Sequence, residues 1–402
     1  MDKKMVPEVR FKGFYDDWEQ VKFERYISKA GIKNGTHSSH EVYSVSNSKG
    51  LVLQNEQFEN NRLAKLDKSS YKIVKPTEFV YNPARINVGS IAYNDTERNI
   101  MVSSLYVILS MNNDIDDNFI KSYIESKQFQ IEVRKNTEGT VRQYLFFDNF
   151  KNIKFPYVNN LNEQRRIAKV IQCIDETITL QQQQLDLYTK LKKGLLQKLF
   201  PKDGEKVPDV RFADFTGNWE QRKFNSFIIK SGERNNKDIS YDIYSVNNKK
   251  GLINQDSQFE KGRLSRLNKK MYKMVKPSEF VYNPARINVG SIAYNNLGIS
   301  VMVSSLYVVF RLNEKIDDNF TMSFIKSKRF TDEVMRNTEG SVRQYLFFDN
   351  IKNVKIPFCN DLNEQKKISK LLEKIDEIIF LQQKKTQNLK LLKKYLLQKL
   401  FI

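Results

Sequence analysis

From Leu161 the chain reads "LNEQRRIAKVIQCIDETITLQQQQLDLYTKLKKGLLQKLF", a stretch of about 40 residues in which Gly194 is the only glycine or proline. Within it Ile171, Ile174, Ile178, Gln181, Leu185, Tyr188, Lys192, Leu195 and Leu199 follow three- and four-residue spacings, the period of one helix face. Near the other end of the sequence Leu372, Ile375, Ile379, Gln382, Thr386, Leu389, Lys393, Leu396 and Leu400 repeat the pattern. Each stripe predicts an amphipathic helix of heptad character, roughly 60 Å long at about 1.5 Å per residue. A domain of about 150 residues is only about 30–40 Å across, so such a helix must outreach its own domain. Its obvious partner is the equivalent helix of the other copy. Gln181, Gln382, Lys192 and Lys393 inside the stripe would weaken the pairing but help to fix its register.

The two stripes belong to a repeat that spans the chain. Phe79 opens "FVYNPARINVG" and Phe280 opens it again, an offset of 201 that also relates Trp18 to Trp219, Tyr43 to Tyr244, Glu138 to Glu339 and Gln164 to Gln365. A period this long means two whole domains rather than a solenoid. Before each long helix come strand-like runs ("EVYSV", "EFVYN", "GSIAY", "SSLYVIL") punctuated by Gly, Asn and Pro, then one helical pattern from Asp116, "DDNFIKSYIESKQFQIEVRK". Strands mixed with one or two helices predict an α+β domain. The expected order is a domain over 1–160, a long helix over 161–200, a linker over 201–208 around Pro201, Gly204 and Pro208, a second domain over 209–361 and a second long helix over 362–402.

Charge narrows the function. The net charge is +20 and the isoelectric point about 9.5, which points to a polyanionic partner. The surplus is +6 over residues 1–201 and +14 over the rest, so the second copy is expected to make the stronger electrostatic contribution. The start, "MDKKMVPEVRF", has no apolar run behind its charges and suggests no secretory signal. The most apolar stretch, "VMVSSLYVVF" from Val301, is about half a membrane span. Cys173 and Cys359 do not correspond across the repeat, and His37 and His40 both lie in the first copy. Neither a disulfide framework, a zinc site nor a histidine chemistry repeated in both copies follows. A reduced, cytoplasmic protein is expected.

The repeated Asn-Pro raises the question of amino-methyl transfer, which uses Asn-Pro-Pro-Tyr or Asp-Pro-Pro-Tyr with an aromatic ring stacked on the flipped base. Here Asn82-Pro83 and Asn283-Pro284 are followed by Ala-Arg, so the ring is missing. No Gly-rich loop opening a helix offers a place for S-adenosylmethionine either. Glu132-Val133-Arg134 and Glu333-Val334-Met335-Arg336 loosely resemble a metal-nuclease cluster, but their spacing differs between copies and solvated helix faces explain them better. No metal site is expected.

The head "VPEVRFKGFYDDWEQ", the segment "NLNEQRRIAKVIQCIDETI" after a proline-closed strand, and the doubling of both resemble the specificity subunit of type I restriction–modification systems. The resemblance covers essentially the whole chain. It implies a non-catalytic DNA-reading subunit in which two target-recognition domains are joined by two long antiparallel coiled-coil helices with pseudo-two-fold symmetry. It also implies double-stranded DNA and two DNA methyltransferase (modification) subunits as partners, with restriction/translocase subunits added. S-adenosylmethionine, ATP and Mg would act in those partners, with no cofactor in this chain and no membrane partner. A pseudo-two-fold axis matches the dyad of duplex DNA. The likeness of the two copies predicts related half-sites and a partly palindromic target. The rival readings are a DNA-binding architectural scaffold without restriction partners, and an enzyme using some other site.

Phosphate contacts position a protein on DNA and base contacts specify the sequence. The repeated cations Arg62/Arg263, Lys72/Lys273, Lys75/Lys276 and Arg85/Arg286 are the phosphate candidates. Base readers need donors and acceptors in loops, which selects Asn47, Asn247, Asn87, Asn288, Arg142-Gln143 and Arg343-Gln344. The copies diverge most between "AGIKNGTHSSHEVYSV" and "SGERNNKDISYDIYSV", and again at "DTERNI" and "NLGISV". Lys33, Asn34 and His37, with Arg234 and Asn235, are therefore expected to account for base differences between the half-sites.

Overall fold

The computed structural model describes residues 5–35, 39–47, 49–54, 68–139, 143–236, 239–248, 250–255, 269–340 and 344–401. The chain forms two compact units, Met1–Gln182 with Lys384–Ile402, and Gln183–Gln383. Each unit therefore contains one mixed domain, the first part of its own long helix and the last part of the other.

The first unit holds β1 (Glu19–Lys22), β2 (Ile27–Ala30), β3 (Ile32–Lys33), β4 (Tyr43–Ser46), β5 (Gly50–Leu53), β6 (Lys72–Val74), β7 (Phe79–Tyr81), β8 (Ile91–Tyr93), β9 (Ile100–Val102) and β10 (Val107–Met111). Then come α1 (Asp117–Ile124), α2 (Lys127–Asn136), α3 (Phe147–Phe150), β11 (Lys154–Tyr157) and the start of α4 (Leu161–Lys198). The second unit has β12 (Glu220–Lys223), β13 (Ile228–Ser231), β14 (Tyr244–Asn247), β15 (Gly251–Asn254), β16 (Lys273–Val275), β17 (Phe280–Tyr282), β18 (Ile292–Tyr294), β19 (Val301–Val303) and β20 (Val308–Leu312). It continues with α5 (Asp318–Ile325), α6 (Lys328–Asn337), α7 (Phe348–Ile351), β21 (Lys355–Phe358) and the start of α8 (Leu362–Leu400).

A four-stranded antiparallel sheet, ordered β2-β10-β7-β8, organises the first unit, and β13-β20-β17-β18 does the same in the second. It is covered on both faces, because side chains alternate along a strand. Phe79 and Tyr81 enter the larger core with Trp18, Phe119, Phe150 and Phe155, while Val80 between them enters a smaller core with Val45, Val74 and Ile108. Phe280, Val281 and Tyr282 divide in the same way. That two-sided burial is why "FVY" is apolar without a break.

The long helices and the residues that directly follow them complete these cores: Ile167, Ile171, Leu397, Leu400 and Phe401 pack in the first, and Leu199, Phe200, Ile368 and Leu372 in the second. Within the second unit Lys192 pairs with Asp376, and the Gln382 amide donates to Gln184 at 3.5 Å, so the helices run antiparallel there. In the first unit Lys393 pairs with Glu125 and, at 2.6 Å, with Asp175. The polar stripe positions thus set register through ion pairs. Buried Gln181 contributes differently, since its Oε1 has no hydrogen-bond partner among the described residues.

The motif "NEQ" ties each helix to its domain. Glu163 is buried and accepts from Arg10 at 2.7 and 2.8 Å, and Glu364 accepts from Arg211 at 2.8 and 2.9 Å. Gln164 accepts from the Asp116 N–H at 2.8 Å and donates to the Val158 carbonyl at 2.7 Å, and Gln365 makes the equivalent bonds to Asp317 and Cys359 at 2.8 Å each. The backbone N–H of Val9 donates to the Lys399 carbonyl at 3.1 Å, and that of Val210 to the Lys198 carbonyl at 3.0 Å. Each head segment thereby satisfies a carbonyl that a helix C-terminus leaves open.

The helical pattern from Asp116, expected to hold one or two helices, is two, because Ser126 is an N-cap whose hydroxyl accepts from the Phe129 N–H at 3.1 Å and starts α2 afresh. One expectation is corrected. Glu132 and Glu333 are not solvated; both are buried, and they accept from the backbone N–H of Lys154 at 3.3 Å and of Lys355 at 2.9 Å. Among the described residues no acidic, His or Cys group is arranged to hold a metal, and no helix is long and apolar enough to cross a membrane.

Candidate nucleic-acid interface

Strand register places several loops of each unit at one end of its four-stranded sheet. Tyr81 pairs with both Val107 and Ile91, and Ala30 pairs with Ile108. The segment leaving β7 (82–90), the turn entering β10 (103–106) and the loop leaving β2 therefore emerge together. Tyr282, Val308, Ile292, Ser231 and Val309 make the same arrangement in the second unit. Gly31 begins its loop with φ +87°, and a Cβ there would lie 2.4 Å from the Ile108 side chain; Gly232, with φ +85°, faces Val309 at 2.6 Å. Only glycine lets the chain turn this closely over the strand.

The Asn-Pro stretch is a locked turn. Asn82 Oδ1 accepts from the Ala84 N–H at 3.0 Å, and the Asn82 carbonyl accepts from the Arg85 N–H at 3.0 Å. The Pro83 carbonyl accepts from the Leu145 N–H at 3.0 Å, which fastens the segment carrying Gln143 onto the turn. In the second unit Asn283 Oδ1 accepts from Ala285 at 3.0 Å and the Pro284 carbonyl from Leu346 at 3.1 Å. The Ser90 hydroxyl donates to the Val45 carbonyl at 2.9 Å, bringing in the β4–β5 hairpin with Asn47 exposed at its tip.

The structure gathers some of the candidates at this end. Arg85 and Arg286 are exposed and make no ion pair with a described residue. Half-buried Asn87 donates to Gln143 at 3.4 Å, while Asn288 and Gln344 are half-buried at the equivalent places. Lys33 and Arg234 are exposed beside Lys72 and Lys273, with which they pair in the backbone ladder.

Others spend polar groups on bonds within the fold, which makes them weaker candidates. Asn34 is 1% exposed and its amide donates to the Lys68 carbonyl at 3.4 Å; Asn235, also 1% exposed, exchanges bonds with the Ile239 backbone at 2.9 and 3.1 Å. Both side chains are turned into the fold and bonded to backbone groups there. Lys72 and Lys273 are half-buried and each donates to a carbonyl, of Tyr106 and Tyr307, at 2.6 Å. Burial and the neighbouring Lys29 and Lys33 hold the Lys72 ammonium below its usual range, and burial with Lys230 and Arg234 does the same to Lys273. Asn247 Oδ1 caps its hairpin by accepting from the Lys250 N–H at 3.0 Å.

Lys75 and Lys276 are exposed at the opposite end of the sheet. Their turns enter β7 and β17, and Thr77 and Ser278 donate to the Asn94 and Asn295 carbonyls beyond β8 and β18, at 2.9 Å each. The second divergent stretch, from Asp95 and from Asn296, is at that same far end. His37, Arg62, Arg142, Arg263 and Arg343 lie outside the described residues.

Sequence reasoning missed several groups at the gathered end. Lys29 and Lys230 are exposed next to the cations just named. Val88, Leu105 and Phe146 are 52%, 77% and 51% exposed, and Val289, Leu306 and Phe347 are 51%, 78% and 49% exposed. Their recurrence at the repeat offset was the available signal. Exposed apolar groups interleaved with cations make a surface able to take both the phosphates and the bases of a nucleic acid.

The comparisons concern the chain as a whole. The model of a family described as the type I restriction modification DNA specificity domain matches residues 15–187 and again 217–391. The type I restriction enzyme MjaVIII specificity subunit of Methanocaldococcus jannaschii is 24% identical over 405 residues, spanning 94% of this chain and 91% of its own. The crystal structure of a type I restriction–modification S subunit from M. genitalium is similar with a TM-score of 0.62 at 16% identity, over 99% of each chain. A chain from a study of assembly and conformational transition of the type I system is similar at 0.51 and 14%, over 97% of this chain and 98% of its own.

Proposed function

From the premise that this chain belongs to the type I restriction–modification DNA specificity family, as a recognition subunit and not an enzyme, we propose that each unit reads one half of a bipartite DNA site. The observation that carries this reading is the sheet end found in both units, where Arg85, Asn87 and Gln143 recur as Arg286, Asn288 and Gln344. The arginines contact phosphate or guanine and the amides contact adenine. Because these residues repeat, the half-sites are related and the target is partly palindromic. The loops over 31–41 and 232–242 leave from the same end and supply the differences between the halves.

Adenine methylation is then directed through two modification subunits that carry S-adenosylmethionine, and restriction through translocase subunits that use ATP and Mg. The test is a genome-wide map of methylated adenines with the gene intact, deleted, and carrying residues 31–41 exchanged with 232–242. Loss of one methylated motif on deletion, and interchange of its halves in the exchange variant, are expected. An unchanged methylome on deletion removes the reading in favour of a DNA-binding scaffold without such partners.

A further inference from the structure

Leu105 and Leu306 are 77% and 78% exposed at the same place in the two units, at the tip of the turn that enters β10 or β20. A lone surface leucine is ordinary. This one recurs on a turn held by three hydrogen bonds. The Leu105 N–H donates to the Ser103 hydroxyl at 3.4 Å, the Tyr106 N–H to the Ser103 carbonyl at 3.1 Å, and the Lys72 ammonium to the Tyr106 carbonyl at 2.6 Å. In the second unit the same bonds are 3.3, 3.0 and 2.6 Å, from Leu306, Tyr307 and Lys273. A rigid turn that presents an apolar tip loses little conformational freedom when the tip is buried by a partner.

The tip's surroundings identify the partner. Lys29 and Lys33 lie close enough to Lys72 to lower its proton affinity, and Lys230 and Arg234 do so to Lys273. Every one of these positions is a cation in both copies, although the loop between them differs. A protein surface covering the leucine would have to neutralise three like charges, whereas the phosphates on either side of a base step do so by their nature.

We propose that Leu105 and Leu306 are apolar wedges that enter a base step in each half-site of the bound duplex, partly unstack it and kink the DNA, while exposed Lys29 and Lys33, and Lys230 and Arg234, hold the flanking phosphates. This inference rests on the half-site reading above and adds a contact whose selectivity comes from deformability, since pyrimidine–purine steps open most easily.

The test uses the full chain assembled with its modification subunits and a duplex carrying the mapped site, with 2-aminopurine placed at successive positions. The wild-type complex should brighten one step in each half. Leu105→Ala should abolish the signal in one half and Leu306→Ala in the other. Each should weaken site binding by roughly tenfold, the change that burying most of a leucine side chain carries. Leu105→Met should retain the signal, and the salt dependence of binding should stay unchanged in all variants because no cation is removed. Unaltered fluorescence in both alanine variants would overturn the wedge, and so would loss of association with the modification subunits, which would make the leucine a protein contact. Failure of the wild-type complex to select the mapped duplex would reject the half-site reading, and the wedge with it.

Discussion

The two units build the same helix junction with opposite charge. In the first, Lys393 lies between two carboxylates, Asp175 and Glu125; in the second, Asp376 lies between two ammonium groups, Lys192 and Lys326. What recurs is the lysine–aspartate pair linking the long helices. What changes is the third member, Glu125 in one copy and Lys326 in the other, on the end of the domain's own helix. A second contrast lies at the helix starts. Arg10–Glu163 and Arg211–Glu364 are alike, but Glu364 also accepts from Trp219 Nε1 at 3.3 Å, whereas Trp18 Nε1 has no hydrogen-bond partner among the described residues. The pairwise bonds specify register and docking, and the surrounding groups decide how much each copy loses when a bond is removed.

The largest effect follows from the buried clamp. Arg10→Met leaves the Glu163 carboxylate, whose side chain is 0% exposed, without its cation. Stranding a buried charge costs about 3–5 kcal/mol. Arg211→Met should cost roughly 1 kcal/mol less, because Trp219 still donates to the carboxylate left behind. Hydrogen exchange at the start of α4 and of α8 reads the two units separately. Equal loss of protection, or a Trp219→Phe background that leaves the difference intact, would contradict the proposed role of the indole.

The helix junction gives a smaller effect with a sharper test. Burial alone would lower the Lys393 ammonium, yet Glu125 and Asp175 raise it above its usual range. Lys393→Met leaves those two carboxylates facing each other, at a cost of roughly 1–3 kcal/mol for a half-buried cluster. Lys192→Met should cost less than about 1 kcal/mol, since Lys326 still pairs with Asp376 at 3.1 Å. Glu125→Lys converts the first cluster into the second, so Lys393→Met should become as mild in that background. A double-mutant cycle on thermal unfolding that finds no coupling between positions 125 and 393 would break the comparison.

How much of this was legible in the sequence depends on the kind of signal. The helix stripes could be read because a period of three and four residues reports burial directly: from Ile171 to Leu199 and from Leu372 to Leu400 every named position is buried or half-buried. The register lysines were visible as polar interruptions, but their carboxylate partners were not, because Asp376 and Asp175 lie far away in sequence. Arg85 and Asn87 were legible as polar residues in a repeated segment. Asn34 and Asn235 misled because a polar loop residue reads as exposed, and only the fold reveals that backbone groups satisfy it internally. Leu105 misled in the opposite direction, since "SSLYVIL" reads as one apolar strand, whereas the strand begins at Val107. Side-chain burial in loops has no period and therefore leaves no pattern.

The smallest contrast concerns the first residues of α1 and α5. Burial pushes the Asp117 carboxyl up to about 6, against a hydrogen bond from the Tyr93 hydroxyl at 3.3 Å that favours the charged form. Asp318 is also raised by burial, but Tyr294 donates to it at a shorter 3.0 Å. Asp117 should therefore titrate at the higher pH of the two, and Tyr93→Phe should move it higher still. The sign for stability follows from proton counting: between an ordinary 3.8 and about 6 the folded first unit keeps a proton that the unfolded chain has released. The contribution from Asp117 is complete below 3.8 and is lost as pH rises through about 6, so the stability of this unit gains a falling component across that window. Asp117→Asn should remove that component, while Asp318→Asn should change a narrower one in the second unit. Carboxyl titration by NMR measures both groups directly, and an Asp117 that titrates at or below Asp318 would show that the tyrosine bond, rather than burial, governs the first site.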